Sequence, residues 1–282
     1  MALAMLLAQA GCTAGGSAPP PPPRGGGPTI VSLNPCSDAI LAEVADPAQI
    51  RGLSRYSSDP AQSSMDAGLA RRFPALSGAV EGVLAARPDV TVASVYTDPA
   101  SLAAMRRLGL RVETVTIANS LAEARDQVRQ LAALAGHPDR GEALVARIDR
   151  AIAAAAPPQG ARPIATVLWE PGGIVPGRET LVSDAMARAG FSNFSAQRGL
   201  GQAQRLPLER MLADPPRLIL AVGGDAGSVP DDDRLLVHPA LAALKGTAHA
   251  TLAPNLIFCG GPTIPRLMAR LAQVRRQVEQ AR

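Results

Sequence analysis

Short runs of branched apolar residues, each followed within a few positions by an amphipathic stretch, constrain this chain more than any other feature. Residues 29–33, 50–53, 90–94 and 112–116 are such runs, and between them lie "SDAILAEVA", "MDAGLARRF", "EGVLAAR" and "DPASLAAMRRLG". Apolar runs of strand length alternating with stretches of helical period predict βα units on a parallel sheet whose strands are buried on both faces. Gly109 closes the last of these helices, where a left-handed residue is favoured. The rhythm then changes. Ser120 with Glu123 forms a capping box, and Leu121, Ala124, Val128, Leu131 and Ala135 recur at helical spacing. "GHPD" breaks this helix at Gly136, and a second runs from about Asp139 to Ala156, stopped by Pro157 and Pro158.

After this helical stretch the alternation resumes with "PIATVLWEP", "TLVSDAMARAG", "PLERMLAD", "RLILAVGG", "HPALAALKG", the segment "NLIFC" and a final helix from about Pro262. The expected fold class is therefore α/β, with two similar lobes of mainly parallel sheet joined by a single long helix. The N-terminal lobe covers 28–118, the helical connector 119–158 and the C-terminal lobe 159–282. Residues 13–27, with five consecutive prolines between glycine-rich flanks, form a low-complexity spacer that cannot pack. Residues 1–12, "MALAMLLAQAGC", resemble a lipoprotein-type signal, which marks Cys12 for lipidation and a periplasmic or cell-surface location; the run is too short to span a membrane.

The formal net charge of +4 is spread among acids along the whole chain, so no basic stripe suited to nucleic acid exists. Motifs for a nucleophile elbow, a phosphate loop, a zinc protease or a dinucleotide are absent, and His137, His238 and His249 share no ligand spacing. His137 and His238 sit at a helix break and a helix start, where turn and capping roles suit them. No metal site is expected. Aromatics are few, seven in all, and Tyr56, Tyr96, Trp169 and Phe258 each fall at or just past the carboxyl end of an expected strand. Open parallel sheets bind ligands at that edge. The four either form a π-rich surface for a large ligand or plug the ends of the lobes.

From Pro28 to Gln280 the chain resembles the substrate-binding proteins of bacterial ABC importers that deliver cobalamin, ferric siderophores or haem. The stretches that carry the resemblance include "IVSLNPCSDAILAEV", "IRGLSRYSSDP", "LWEPGGIVPGRETLVSDAMARAGFSN" and "CGGPTIPRLMARL". The frame "EGVLAARPDV" recurs loosened as "ERMLADPPRL". The resemblance implies a monomeric, non-enzymatic carrier with no resident cofactor, whose transported ligand is a cobalt corrinoid or, alternatively, an iron chelate. Its partners would be an ABC permease dimer with its ATPase, and membrane contact would come through the lipid alone. It implies a ligand cleft between the lobes, contacts from Tyr56, from the stretch 169–176 with Trp169, Gly172 and Gly173, and from Phe258 and Cys259, and docking to the transporter through Glu81 and Glu209; Pro35, Cys36 and Tyr96, placed just past strand ends, are expected to join the ligand contacts.

Cys36 and Cys259 both fall beside the expected cleft, and three readings of them stay open. They line the pocket as small packed thiols, form a disulfide, or ligate the ligand's metal. Residues on opposite lobes seldom approach within the ~7 Å between Cα atoms that a disulfide needs, so pocket-lining thiols lead. An α/β enzyme with Cys36 as nucleophile is the rival of another class, and it lacks a histidine beside a first-lobe strand end.

Overall fold

In a computed structural model the described residues are 26–223 and 239–281. The chain opens with β1 (Ile30–Ser32), α1 (Pro35–Val44), β2 (Ile50–Ser54), α2 (Ala67–Ala70), β3 (Ala75–Leu76), α3 (Val80–Ala86), β4 (Val90–Ser94), α4 (Pro99–Arg107) and β5 (Val112–Val115). These strands form a parallel sheet in the order β3-β2-β1-β4-β5. Central β1 is buried throughout, which is why it reads as a continuous apolar run rather than an alternation. The stretch 65–73 yields only the four-residue α2. Asp66 caps it by accepting from the Leu69 N–H, and Phe73 precedes Pro74, a position disfavoured for helix. The chain beyond Pro74 becomes the edge strand β3.

α5 (Leu121–Ala135) and α6 (Pro138–Ala155) pack as a helical hairpin broken at Gly136, whose φ of 82° is the left-handed conformation glycine supplies. Ser120 Oγ accepts from the Glu123 N–H at 3.1 Å, while the Glu123 carboxylate reaches back to the Asn119 N–H at 2.8 Å. α5 packs on α1, whereas the long helix α6 packs on the final helix and leads into the second sheet.

The remaining elements are β6 (Ile164–Trp169), β7 (Ile174–Val175), α7 (Leu181–Arg188), β8 (Phe191–Asn193), α8 (Phe194–Gln197), β9 (Gln204–Arg205), α9 (Leu208–Ala213), β10 (Leu218–Val222), α10 (Pro239–Ala242), β11 (Ala248–Leu252) and α11 (Ile264–Gln280). A parallel sheet runs β11-β10-β6-β8, and β7 pairs antiparallel with β9 beside it. The strand before Cys259 is β11, "AHATL", rather than "NLIFC". Pro254 starts a single 3₁₀ turn there, and two alanines with a histidine give β11 little strand signal of its own. One large core joins α1, α5, α6, α7 and α11 to the inner faces of both sheets. Among the described residues no helix is long and apolar enough to cross a membrane. The spacer, Cys12 and the signal-like segment, apart from Gly26 and Gly27, lie outside the described residues, as does His238.

Candidate functional site

The stretch "NPC" is the start of a helix. Asn34 is extended, and its side-chain oxygen accepts from the Cys36 and Ser37 N–H groups at 2.9 and 3.1 Å. Pro35 takes the first helical position, where its missing N–H costs nothing. Cys36 therefore sits in the first turn of α1, at the carboxyl edge of the first sheet.

Cys259 reaches it from the second lobe. The "CGGP" segment lies against α1 and α5: a Cβ on Gly261 would come within 2.6 Å of the Ile40 side chain, and one on Gly260 within 3.1 Å of Ala124. The Cys259 N–H donates to Ser64 Oγ at 3.1 Å, and the Arg266 guanidinium donates to the Ser64 carbonyl at 2.5 Å. That close approach brings the Cα atoms of Cys36 and Cys259 to 5.0 Å, and the two form a disulfide. The pair thus takes the second of the three readings, not the leading one. The glycines remove the side-chain bulk that would hold the segments apart. With its sulfur bonded, Cys36 is not the nucleophile of an enzyme.

The disulfide forms part of the wall of a cleft with a cavity volume of about 350 Å³ between the two sheets. Asn34, Ser94 and residues 116–119 line it from the first sheet's carboxyl edge. Glu170, Pro176, Thr180–Val182, Gln202, Ala203 and residues 257–260 line it from the second lobe, and Gln127 from α5. Gln202 Nε2 donates to Asn119 Oδ1 at 3.2 Å and to the Glu179 carbonyl at 2.8 Å, tying the walls together. No arginine or lysine is among the described lining residues.

Around the opening, apolar side chains stay exposed. Tyr56, Val95, Tyr96, Ile117 and Phe258 are five of the six large hydrophobic residues exposed among those described, and all five follow a strand's carboxyl end. Scattered exposed apolar residues need no explanation, but these five share one position in the fold, past the carboxyl ends of strands. Tyr96 is 75% exposed and Tyr56 40%. Their strands, β4 and β2, flank β1, so the two strand ends are roughly 10 Å apart on either side of the disulfide. The Tyr56 hydroxyl accepts from the Arg55 guanidinium at 2.9 Å, and that group also lies over the Tyr56 ring.

Of the residues expected to meet a ligand, Cys36, Phe258 and Cys259 line the cavity, while Tyr56, Tyr96 and Gly172 are exposed outside it. Pro35 and Gly173 do not line it; Gly173 is buried. Trp169 is a correction. It is completely buried and packs with Val167, Val175, Phe194, Leu206 and Met211, so it belongs to the core. Side chains alternate across a strand. Trp169 follows Val167 onto the far face of β6, and the next residue, Glu170, enters the cleft instead. Sequence reasoning included Glu170 only within the stretch 169–176 and did not single it out. Burial pushes its carboxyl above the ordinary 4.5.

A second acid supports the site from beneath. Asp38, fully buried on α1, accepts from the Ser54 N–H at 2.8 Å and the Ser57 hydroxyl at 2.5 Å. These residues bracket Arg55 and Tyr56, so Asp38 anchors the turn that presents them. Desolvation raises its pKa to about 7, against the lowering effect of the hydrogen bonds from Ser57 and Ser54. Glu81 and Glu209 are exposed in the first turns of α3 and α9, which precede β4 and β10, the strands adjacent to β1 and β6. They occupy equivalent places in the two lobes. Among the described residues no cluster of three potential metal ligands exists.

The chain matches the family described as Periplasmic binding protein over residues 30–252. No curated protein matches its sequence. Among solved structures it is similar to a periplasmic heme-binding protein from Pseudomonas aeruginosa, with 25% identity, a TM-score of 0.66 and coverage of 88% of this chain and 92% of that one. It is similar in fold to the periplasmic heme-binding protein RhuT from Roseiflexus, with 22% identity, a TM-score of 0.67 and coverage of 91% and 99%. The periplasmic vitamin B12-binding protein of Vibrio cholerae shares the fold at 16% identity, with a TM-score of 0.66 and coverage of 89% and 98%.

Proposed function

This chain belongs to the periplasmic binding protein family, and from that premise we propose that it captures a corrinoid, a metal chelate rich in carboxamides, and delivers it to an ABC permease. The family consists of substrate-binding proteins rather than enzymes. The observation that carries the ligand class is the chemistry of the cavity wall. Asn34, Asn119, Gln127 and Gln202 supply amides, Glu170 supplies an acid, and no described lining residue is cationic. An anionic ligand would be desolvated beside Glu170 without a counter-charge among the described lining residues, at a cost that selects against it. Carboxamides both donate to and accept from such a wall. The cavity is near the small end of the range for ligand sites, so a bulky chelate would be seated along one edge, with Tyr56, Tyr96 and Phe258 against its exposed face.

Titration with cyanocobalamin followed by absorbance and equilibrium dialysis tests this reading. Saturable one-to-one binding at micromolar or lower concentration supports it, and failure to bind overturns it. One observation favours a second reading, a haem carrier: an exposed Tyr56 phenol beside a guanidinium is a hard oxygen donor of the kind ferric iron accepts. Hemin that bound more tightly than cyanocobalamin, and was lost in Y56F, would establish that alternative.

Delivery in this reading uses Glu81 and Glu209, whose symmetric exposure suits paired basic contacts on a permease. Reversing both charges should abolish uptake and leave ligand affinity intact. The protein acts as a periplasmic monomer held to the membrane by lipid on Cys12, and replacing Cys12 by serine should release it into the soluble fraction.

A further inference from the structure

The cavity holds a carboxylate that the fold itself does not use. Glu170 stands at the carboxyl end of β6, and its backbone N–H bonds to the Ile174 carbonyl at 2.8 Å. Its side chain lines the cleft and has no hydrogen-bond partner among the described residues. Gln202 and Gln127, which line the same cavity, donate elsewhere, to Asn119, to the Glu179 carbonyl and to the Thr116 carbonyl. A half-buried carboxylate left without a donor is costly, so its donor is to be sought in what enters the cavity.

We propose that Glu170 is the specificity-determining residue of the cleft, accepting hydrogen bonds from ligand carboxamide N–H groups and rejecting ligands that carry carboxylates at the same positions. This rests on the corrinoid reading and deepens it. A carboxamide and a carboxylate are nearly identical in shape, so shape selection alone distinguishes them poorly. A fixed acid distinguishes them strongly. The amide donates to it, whereas the carboxylate offers no proton and repels it.

Burial raises the pKa of Glu170, and no other charged residue among those described lines the cavity. Arg178 and Glu179, on the segment after β7, and Arg205, on β9, are exposed and outside that lining. The ionised form accepts ligand N–H groups best, so affinity rises with pH as the carboxyl loses its proton, above the ordinary 4.5, and then levels off.

The test uses one ring with two peripheries: cyanocobalamin, and dicyanocobyrinic acid, in which the peripheral amides are carboxylates. Wild type should prefer cyanocobalamin. E170Q, which keeps the shape and removes the charge, should bind cyanocobalamin about tenfold more weakly, as expected for a lost charge-assisted hydrogen bond. It should also narrow the preference between the two ligands and lose the pH dependence. E170K should reverse the preference. A variant altered only in packing would weaken both ligands together and leave their ratio unchanged, and that result would overturn the assignment. Equal cyanocobalamin affinity in wild type and E170Q would overturn it too, with the corrinoid reading intact. Wild type that bound hemin and neither corrinoid would overturn the reading and the assignment together.

Discussion

Replacing Cys36 and Cys259 together by alanine removes a crosslink between residues 223 positions apart, joining the first turn of α1 to the segment before α11. A loop of that length encloses nearly all of both lobes. On the chain-entropy account, constraining it in the unfolded state amounts to about 18 cal/mol/K, or about 5 kcal/mol at 25 °C. Cys259 is buried, so its truncation adds lost packing, on the order of 1 kcal/mol. With a urea slope of about 3 kcal/mol/M, suited to a chain of this size, the midpoint should fall by nearly ~2 M. The assay is equilibrium urea unfolding followed by circular dichroism, run on the oxidised protein, the same protein with excess phosphine reductant, and the double variant. Reduced wild type and the variant should agree to within the packing contribution. If all three midpoints coincided within about 0.3 M, the argument that the bridge constrains the unfolded chain would be refuted.

Asp38 has a folded-state pKa of about 7 against an ordinary 3.8, so the folded protein binds its proton more tightly than the unfolded chain does. Its contribution to stability is present in full below the unfolded pKa of 3.8 and is lost as pH rises through the folded value of about 7, by at most about 4 kcal/mol. D38N keeps the acceptor for Ser54 and Ser57 without the charge, and thermal melting between pH 5 and 8 should be flatter in this variant than in wild type. A fall of equal size in both would assign it to other groups. Trp169, completely buried, should emit at short wavelength and resist iodide, and W169A should cost about 4 kcal/mol in unfolding stability; ready iodide quenching in the free protein would contradict its placement. At Gly177 a Cβ would come within 1.5 Å of the Gly201 carbonyl oxygen and 2.0 Å of that of Leu200, so G177A must displace the strand of chain that carries Gln202. Affinity for cyanocobalamin should drop at least tenfold by dialysis, a loss of about 1.4 kcal/mol, and an unchanged value would show that this wall does not hold the ligand.

What the sequence determined by itself is what depends on neighbours along the chain. Strand and helix periods located β1, β2, β4, β5, β6 and β10 with the helices between them, because a strand buried on both faces writes a continuous apolar run and a helix writes its repeat locally. Caps and breaks at Ser120 and Gly136 were legible for the same reason. The short pairs β3, β7 and β9 and the weakly patterned β11 were not, since two to five residues carry too little pattern and are held by their partner strands. The edge that bears Tyr56, Tyr96 and Phe258 followed from topology alone. Which side chains face the cleft did not: one step along β6 exchanges Trp169 for Glu170, and only the packing of Phe194, Leu206 and Met211 against the tryptophan fixed which of the two was buried. The disulfide is likewise a tertiary fact. Cys36 and Cys259 belong to different lobes, and their meeting required Gly260 and Gly261 to let one backbone close on Ile40 and Ala124, an approach set by how the lobes pack and by no spacing along the chain.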